Sequence, residues 1–101
     1  MLLETRFEPG LIVITPLERR VDVRVAAEFR SAIIDRIDQG HRRVLINLER
    51  VEFIDSSGLS ALLSGLRRVG RDGDISVCSL SSKVRSIFEL TRLNRVITIT
   101  E

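Results

Sequence analysis

The sequence is poor in the residues that build metal sites and disulfides. It contains one cysteine (Cys78) and one histidine (His41) among 101 residues. A single cysteine excludes an intrachain disulfide and a cysteine metal cluster, and we expect Cys78 to be a buried structural thiol. One histidine and dispersed carboxylates do not form a metal-ligand set. We therefore expect neither a metal nor another cofactor.

Aromatic residues are also scarce, at 4% of the chain, with no tryptophan and no tyrosine. All four phenylalanines are predicted to lie in the core: Phe7, Phe29, Phe53 and Phe88. Because single-stranded nucleic-acid binders display stacking aromatics, direct nucleic-acid binding is not expected. Charge is nearly balanced, with 16 basic and 14 acidic residues. The arginine pairs are scattered, which favours an ion-paired surface over a phosphate-binding patch: Arg19-Arg20, Arg42-Arg43 and Arg67-Arg68.

Long hydrophobic runs are missing as well. No apolar run approaches the roughly 20 residues that a membrane-spanning helix needs. The N-terminus lacks a basic region followed by a long apolar one, so it does not resemble a signal peptide. We expect a soluble, cytoplasmic protein without membrane insertion. At 101 residues, 44% of them hydrophobic, residues 1–101 are predicted to form a single domain with its own core.

Strand and helix patterns alternate in the order β-β-α-β-α-β-α-β. Predicted strands span residues 2–7, 11–15, 42–48, 75–78 and 96–100, and predicted helices begin near residues 23, 59 and 82. The first helix has an apolar face at helical spacing: Ala26, Phe29, Ile33 and Ile37. The unbroken apolar run 44–46 is typical of a central strand covered on both sides. The sequence predicts an α/β fold with a mixed, mostly parallel sheet and crossover helices.

A polar segment, Asp55-Ser56-Ser57-Gly58, lies between the strand at 42–48 and the helix near residue 59. In sheets of this type, functional residues tend to follow the carboxyl ends of strands. Two interpretations remain open. Asp55, Ser56 or Ser57 caps the helix, a contribution of about 1 kcal/mol, or a serine here accepts a phosphoryl group, which the helix N-terminus would stabilise.

The residues give little support to catalysis at this segment. His41 begins the strand that leads towards Ser56, and the extended strand separates them by roughly 23 Å. The sequence has neither the Gly-x-Ser-x-Gly pattern of a nucleophile elbow nor a Gly-Lys-Ser/Thr phosphate loop. We therefore expect no enzymatic activity.

Residues 48–59, LERVEFIDSSGL, closely resemble the signature of bacterial anti-sigma factor antagonists. These belong to the STAS domain family, which also includes cytoplasmic domains of sulfate transporters, and the resemblance covers nearly the whole chain. It implies partner switching. The unmodified protein binds a serine kinase that is also the anti-sigma factor, phosphorylation releases it, and a metal-dependent serine phosphatase resets it.

The resemblance also implies roles for individual residues. Ser56 is the phosphoryl acceptor, and Asp55 orients it. Ser57 is a neighbouring cap hydroxyl, and Gly58 permits close backbone approach. Asp22 matches an aspartate that lies near the acceptor and the kinase in the family. Partner binding is thus expected at Asp22, Asp55, Ser57 and Gly58.

Two features depart from the family pattern. Arg19-Arg20-Val21-Asp22 stands where the family usually has Gly-x-Leu-Asp, which predicts a more basic docking surface. The chain also stops at Glu101, where many relatives continue into another amphipathic helix, so an exposed apolar or homodimer face is expected. Two other functions remain open: a STAS accessory or scaffold module of a transporter or signalling complex that is not phosphorylated, and a small nucleotide-binding or enzymatic domain.

Overall fold

The computed structural model describes residues 1–100. Its strands are β1 (Leu3–Glu8), β2 (Leu11–Pro16), β3 (Arg20–Val21), β4 (Arg43–Asn47), β5 (Phe53–Ile54), β6 (Asp74–Cys78) and β7 (Thr98–Thr100). Its α-helices are α1 (Ala26–Asp38), α2 (Ser56–Val69) and α3 (Ser82–Leu90), and single 3₁₀ turns cover Gly70–Asp72 and Leu93–Arg95.

Five strands form one sheet in the order β1-β2-β4-β6-β7. The hairpin β1–β2 is antiparallel, and the other three pairings are parallel. The predicted α/β fold with a mixed, mostly parallel sheet is therefore confirmed. Two elements were not predicted. The two-residue strands β3 and β5 pair in parallel as a separate small sheet, with Arg20 opposite Phe53 and Val21 opposite Ile54.

The main core lies between one face of the sheet and the helices. In each central strand, alternate side chains enter it: Ile12, Ile14, Val44, Ile46, Ile75 and Val77. Helix α1 contributes Phe29, Ile33 and Ile37, as predicted, while Ala26 is only half-buried. Helix α2 approaches α1 closely at Gly65, which has no side chain. A Cβ atom at this position would lie only 2.6 Å from Cγ2 of Ile33.

The residues between these core positions face the other side of the sheet. Val13 is buried but stands outside the core cluster, and Leu45 is half-buried. Cys78 follows the core residue Val77 and is also only half-buried. The prediction of a buried thiol was therefore wrong, since the register turns Cys78 away from the helices.

Two of the four phenylalanines do not lie in the core. Phe29 and Phe88 are fully buried as predicted, but Phe7 is 64% exposed and Phe53 is half-buried. Phe7 lies on the edge strand β1 near the hairpin turn, where its ring centroid is 5.4 Å from that of His41. Within residues 1–100, no helix is long and apolar enough to cross a membrane.

Candidate functional site

The polar segment follows the short strand β5 and opens helix α2. Backbone hydrogen bonds hold the chain that leads into this segment against β3 and the residue before it. The N–H of Glu52 donates to the carbonyl oxygen of Arg19 at 2.7 Å, and the N–H of Asp55 donates to the carbonyl oxygen of Val21 at 3.2 Å. Asp55 has an extended backbone, with φ −102° and ψ −175°, and α2 begins at Ser56. The prediction of a helix start near Leu59 was three residues late.

The Asp55 carboxylate joins two parts of the fold. Its Oδ1 accepts the N–H of Gly58 at 3.0 Å, which caps α2. Its Oδ2 accepts the N–H of Val23 at 3.2 Å, from the loop between β3 and α1. Of the three candidate caps in the sequence, Asp55 is thus the one that caps the helix. It also ties the Asp22 loop to the N-terminus of α2.

Gly58 makes the second link between the same parts. A Cβ atom at this position would lie 2.6 Å from the carbonyl oxygen of Val21 and 2.7 Å from Cγ1 of Ile54. Both contacts are far inside normal van der Waals distance, so only glycine fits against the backbone of β3. The close approach expected at this residue is present.

Ser56 is exposed and Ser57 is half-buried. Within residues 1–100, the Ser56 side chain takes part in no hydrogen bond. Because Asp55 caps the helix, Ser56 occupies the first turn without a structural task for its hydroxyl. A helix N-terminus carries a partial positive charge and free N–H groups, so this position favours an added anion.

Asp22 lies on the loop that Asp55 holds. Its side chain is 15% exposed and has Nε of Arg24 at 3.1 Å and Nε of Arg20 at 3.7 Å. Burial raises the pKa of Asp22, but the hydrogen bonds from Arg24 and the charges of Arg24 and Arg20 outweigh it and leave the pKa below its usual value. Asp22 is therefore an ionised, arginine-paired carboxylate beside the segment.

A cationic cluster on the same side of the fold was missed by sequence reasoning. The guanidinium carbon of Arg20 lies 4.4 Å from the centroid of the Phe53 ring, and Nζ of Lys83 lies 5.6 Å from it. These residues come from β3, β5 and the first turn of α3. No periodicity signals such a contact, because it depends on the pairing of two strands that are only two residues long.

His41 has no place in this arrangement, since it precedes β4 and contacts Phe7 at the hairpin. Within the described residues, no group of three or more histidine, cysteine or acidic side chains is placed to hold a metal ion. Most members of the arginine pairs have a carboxylate partner, as predicted: Arg19 with Glu52, Arg20 with Asp22, Arg43 with Asp74 and Arg68 with Asp38.

The family model described as "STAS domain" matches residues 3–101. This chain belongs to the STAS domain family. BtrV of Bordetella bronchiseptica, which carries the name of an anti-sigma factor antagonist, is 31% identical over 83 residues, which cover 79% of this chain and 70% of BtrV. The resemblance stated from the sequence is thus confirmed.

Solved structures agree with this assignment. A STAS domain protein of Planctomyces limnophilus, titled an anti-sigma-factor antagonist, superposes with a TM-score of 0.88 at 26% identity, covering 98% of this chain and 88% of its own. Unphosphorylated SpoIIAA, an anti-sigma factor antagonist, superposes at 0.82 with 23% identity and 99% and 89% coverage. Phosphorylated SpoIIAA from Bacillus superposes at 0.73 with 22% identity and 99% and 92% coverage. SpoIIAA therefore shares the fold and exists in both phosphorylation states.

Proposed function

We propose that this STAS protein is an anti-sigma factor antagonist that works by partner switching, with Ser56 as its phosphoryl acceptor. The observation that carries the proposal is the division of tasks between neighbours. Asp55 caps α2, and Ser56 is exposed with a hydroxyl that no structural contact in residues 1–100 uses. A kinase can therefore reach Ser56 without unfolding the helix.

In the proposed reaction, the kinase supplies ATP. The Ser56 hydroxyl oxygen attacks the γ-phosphorus, the new O–P bond forms, and the bond from the γ-phosphorus to the β–γ bridging oxygen breaks. ADP leaves, and the hydroxyl proton passes to a base of the kinase. Asp55 acts as a positioning residue, since both its carboxylate oxygens already accept backbone N–H groups.

Phosphorylation changes the surface more than the fold. The group adds about −1.5 to −2 charges and three acceptor oxygens at an exposed position. The N-terminus of α2 offsets part of this charge, while Asp55 opposes it. A partner packed over this spot meets a bulky anion, which costs several kcal/mol where the contact excludes water. The complex then separates, and a metal-dependent serine phosphatase restores the binding state.

The partner-binding surface combines groups that contact the partner with groups that shape the site. Ser57 follows Ser56 and is half-buried, and Asp22, with a 15% exposed side chain, lies on the loop that Asp55 holds; both serve as contacts. Asp55 and Gly58 hold the loop from β3 against the start of α2 and so fix the shape of that surface. The protein has no chemistry of its own in this scheme and acts as a substrate and ligand of cytoplasmic regulators.

The proposal is tested by binding of the encoded serine kinase to matched serine variants. Ser56→Asp places a negative charge at the acceptor, and Ser31→Asp places the same charge on the exposed surface of α1. We expect Ser56→Asp to weaken kinase binding about tenfold or more with a nearly unchanged melting temperature, and Ser31→Asp to bind as the wild type does. Equal binding by all three proteins would contradict the proposal, as would a large loss of stability in Ser56→Asp.

A further inference from the structure

Phe53 lies against two cations that belong to different elements. Arg20 on β3 places its guanidinium carbon 4.4 Å from the ring centroid, and Lys83 on α3 places Nζ at 5.6 Å. Both distances are within the range of a cation–π contact. Two positive groups from different elements therefore contact one half-buried ring, and we call Arg20, Phe53 and Lys83 the Phe53 cluster.

Lys83 is placed where a cation is disfavoured. It is the second residue of α3, which Ser81 caps, and the positive end of the helix dipole lies in this turn. Arg20 contacts the same ring, and no carboxylate lies within 4.0 Å of Lys83 in residues 1–100. It is also the only lysine of the chain. An external anion bound to Lys83 would supply the missing negative partner and would offset the unfavourable position of this cation at the helix N-terminus.

Arg20 leaves the same surface positively charged. Its partner Asp22 lies at 3.7 Å and is shared with Arg24, whose Nε is closer at 3.1 Å. One carboxylate therefore serves two guanidinium groups. Since Lys83 has no carboxylate within 4.0 Å in residues 1–100, the shared Asp22 carboxylate does not offset the combined positive charge of Arg20 and Lys83.

The cluster borders the proposed switch. Phe53 precedes Ser56 by three residues, and its strand β5 pairs with β3, which carries Arg20. A partner that covers Ser56 and Asp22 also reaches the cluster. This continuity makes the cluster a candidate part of the same interface.

We propose that the Phe53 cluster docks a group of carboxylates on the kinase that phosphorylates Ser56, an inference that rests on the proposed function. A guanidinium held over a ring keeps its N–H edge free for a bidentate carboxylate. One half-buried aromatic offers no series of stacking platforms, which disfavours a single-stranded nucleic acid. The cluster also assists release, because a phosphoryl group on Ser56 repels those carboxylates and weakens the positive field that attracted them.

The first arm of the test measures kinase binding. Arg20→Gln and Lys83→Gln are compared with Arg71→Gln, whose exposed arginine follows the far end of α2, about 20 Å from Ser56. We expect each cluster variant to bind about two- to fivefold more weakly at low salt, mainly through slower association, with a reduced salt dependence. Lys83→Arg, which keeps the positive charge, should bind as the wild type does, and so should Arg71→Gln. If the kinase binds the wild type and the cluster variants equally, the inference is wrong and the proposed function stands.

The second arm does not depend on the kinase. The ¹⁵N-labelled protein is titrated with a glutamate-rich peptide and, separately, with inorganic polyphosphate of the same charge. We expect the peptide to shift the amide signals of Arg20, Phe53 and Lys83, and the double variant Arg20→Gln/Lys83→Gln to lose these shifts. Shifts centred on Arg42 and Arg43, or a response to polyphosphate alone, overturn the inference. If no encoded kinase binds the wild type, the proposed function fails, and this arm alone decides for or against the cluster as a carboxylate site.

Discussion

Gly58 lies directly against the backbone of Val21. A Cβ atom on Gly58 would stand 2.6 Å from the Val21 carbonyl oxygen, which also accepts the N–H of Asp55 at 3.2 Å. The start of α2 and the end of β3 are therefore in contact through main-chain atoms. Since a backbone atom cannot move aside as a side chain can, this contact fixes the shape of the proposed switch surface.

We expect Gly58→Ala to destabilise the protein by about 1–3 kcal/mol, because the added methyl group overpacks this contact. The loss should appear even though alanine is the better helix former by about 1 kcal/mol. Urea unfolding measures it, with Ser60→Ala as the control at an exposed position of the same helix. Unchanged or increased stability of Gly58→Ala would mean that the close approach is absent.

Asp55 should contribute more to stability than Ser56. Asp55→Ala removes the cap of α2 and the hydrogen bond to Val23, so we expect a loss of about 2 kcal/mol. Ser56→Ala removes neither and should stay within about 0.5 kcal/mol of the wild type. The free energy of unfolding of the two variants checks this ranking. Equal losses, or a larger loss in Ser56→Ala, would show that Asp55 is not the residue that caps α2.

The Asp22 carboxylate should make stability depend on pH. Its folded pKa is lowered from 3.8, with Arg24 and Arg20 outweighing the effect of burial. A lowered carboxyl pKa gives a stabilising contribution that is present above the unfolded value and lost as the pH falls through the folded value. The stability difference between the wild type and Asp22→Asn should thus be constant near neutral pH and shrink below pH 3.8. A difference that grows on acidification would contradict the sign.

The two faces of the sheet should respond differently to truncation. Ile46 is fully buried under the helices, whereas its neighbour Leu45 is half-buried on the opposite face. We expect Ile46→Ala to cost about 2–5 kcal/mol and Leu45→Ala about 0.5–2 kcal/mol. Chemical denaturation of both variants compares them. A larger loss of stability in Leu45→Ala than in Ile46→Ala would show that the main core does not lie on the Ile46 side of the sheet.

The long elements could be predicted because their patterns are periodic. The spacing of Phe29, Ile33 and Ile37 defines α1, and the apolar run around Val44 and Ile46 defines a central strand. The start of α2 was placed late, because Ser56, Ser57 and Gly58 are weak helix formers and carry no apolar signal. The cap from Asp55 overrides that local weakness.

From the residues themselves, only the sequence-local part of the site could be predicted, and Asp22 was assigned to it through the family resemblance. Ser56 beside Asp55 was recognised from the motif, but the strands β3 and β5 are too short to leave a pattern. Without their pairing, the bond from Val23 to Asp55 and the contact of Arg20 with Phe53 have no signature. The prediction that Phe7 lies in the core was wrong because its exposure depends on the position of β1 at the edge of the sheet, and strand order is a feature of the fold that the local sequence does not indicate.

The most direct test of the central claim is to locate the phosphate. The protein is incubated with its encoded serine kinase and ATP, and the modified residue is identified by mass spectrometry. We predict one phosphoryl group on Ser56, lost in Ser56→Ala and retained in Ser57→Ala. Phosphate that persists in Ser56→Ala, or that resides on Ser57, would contradict the account.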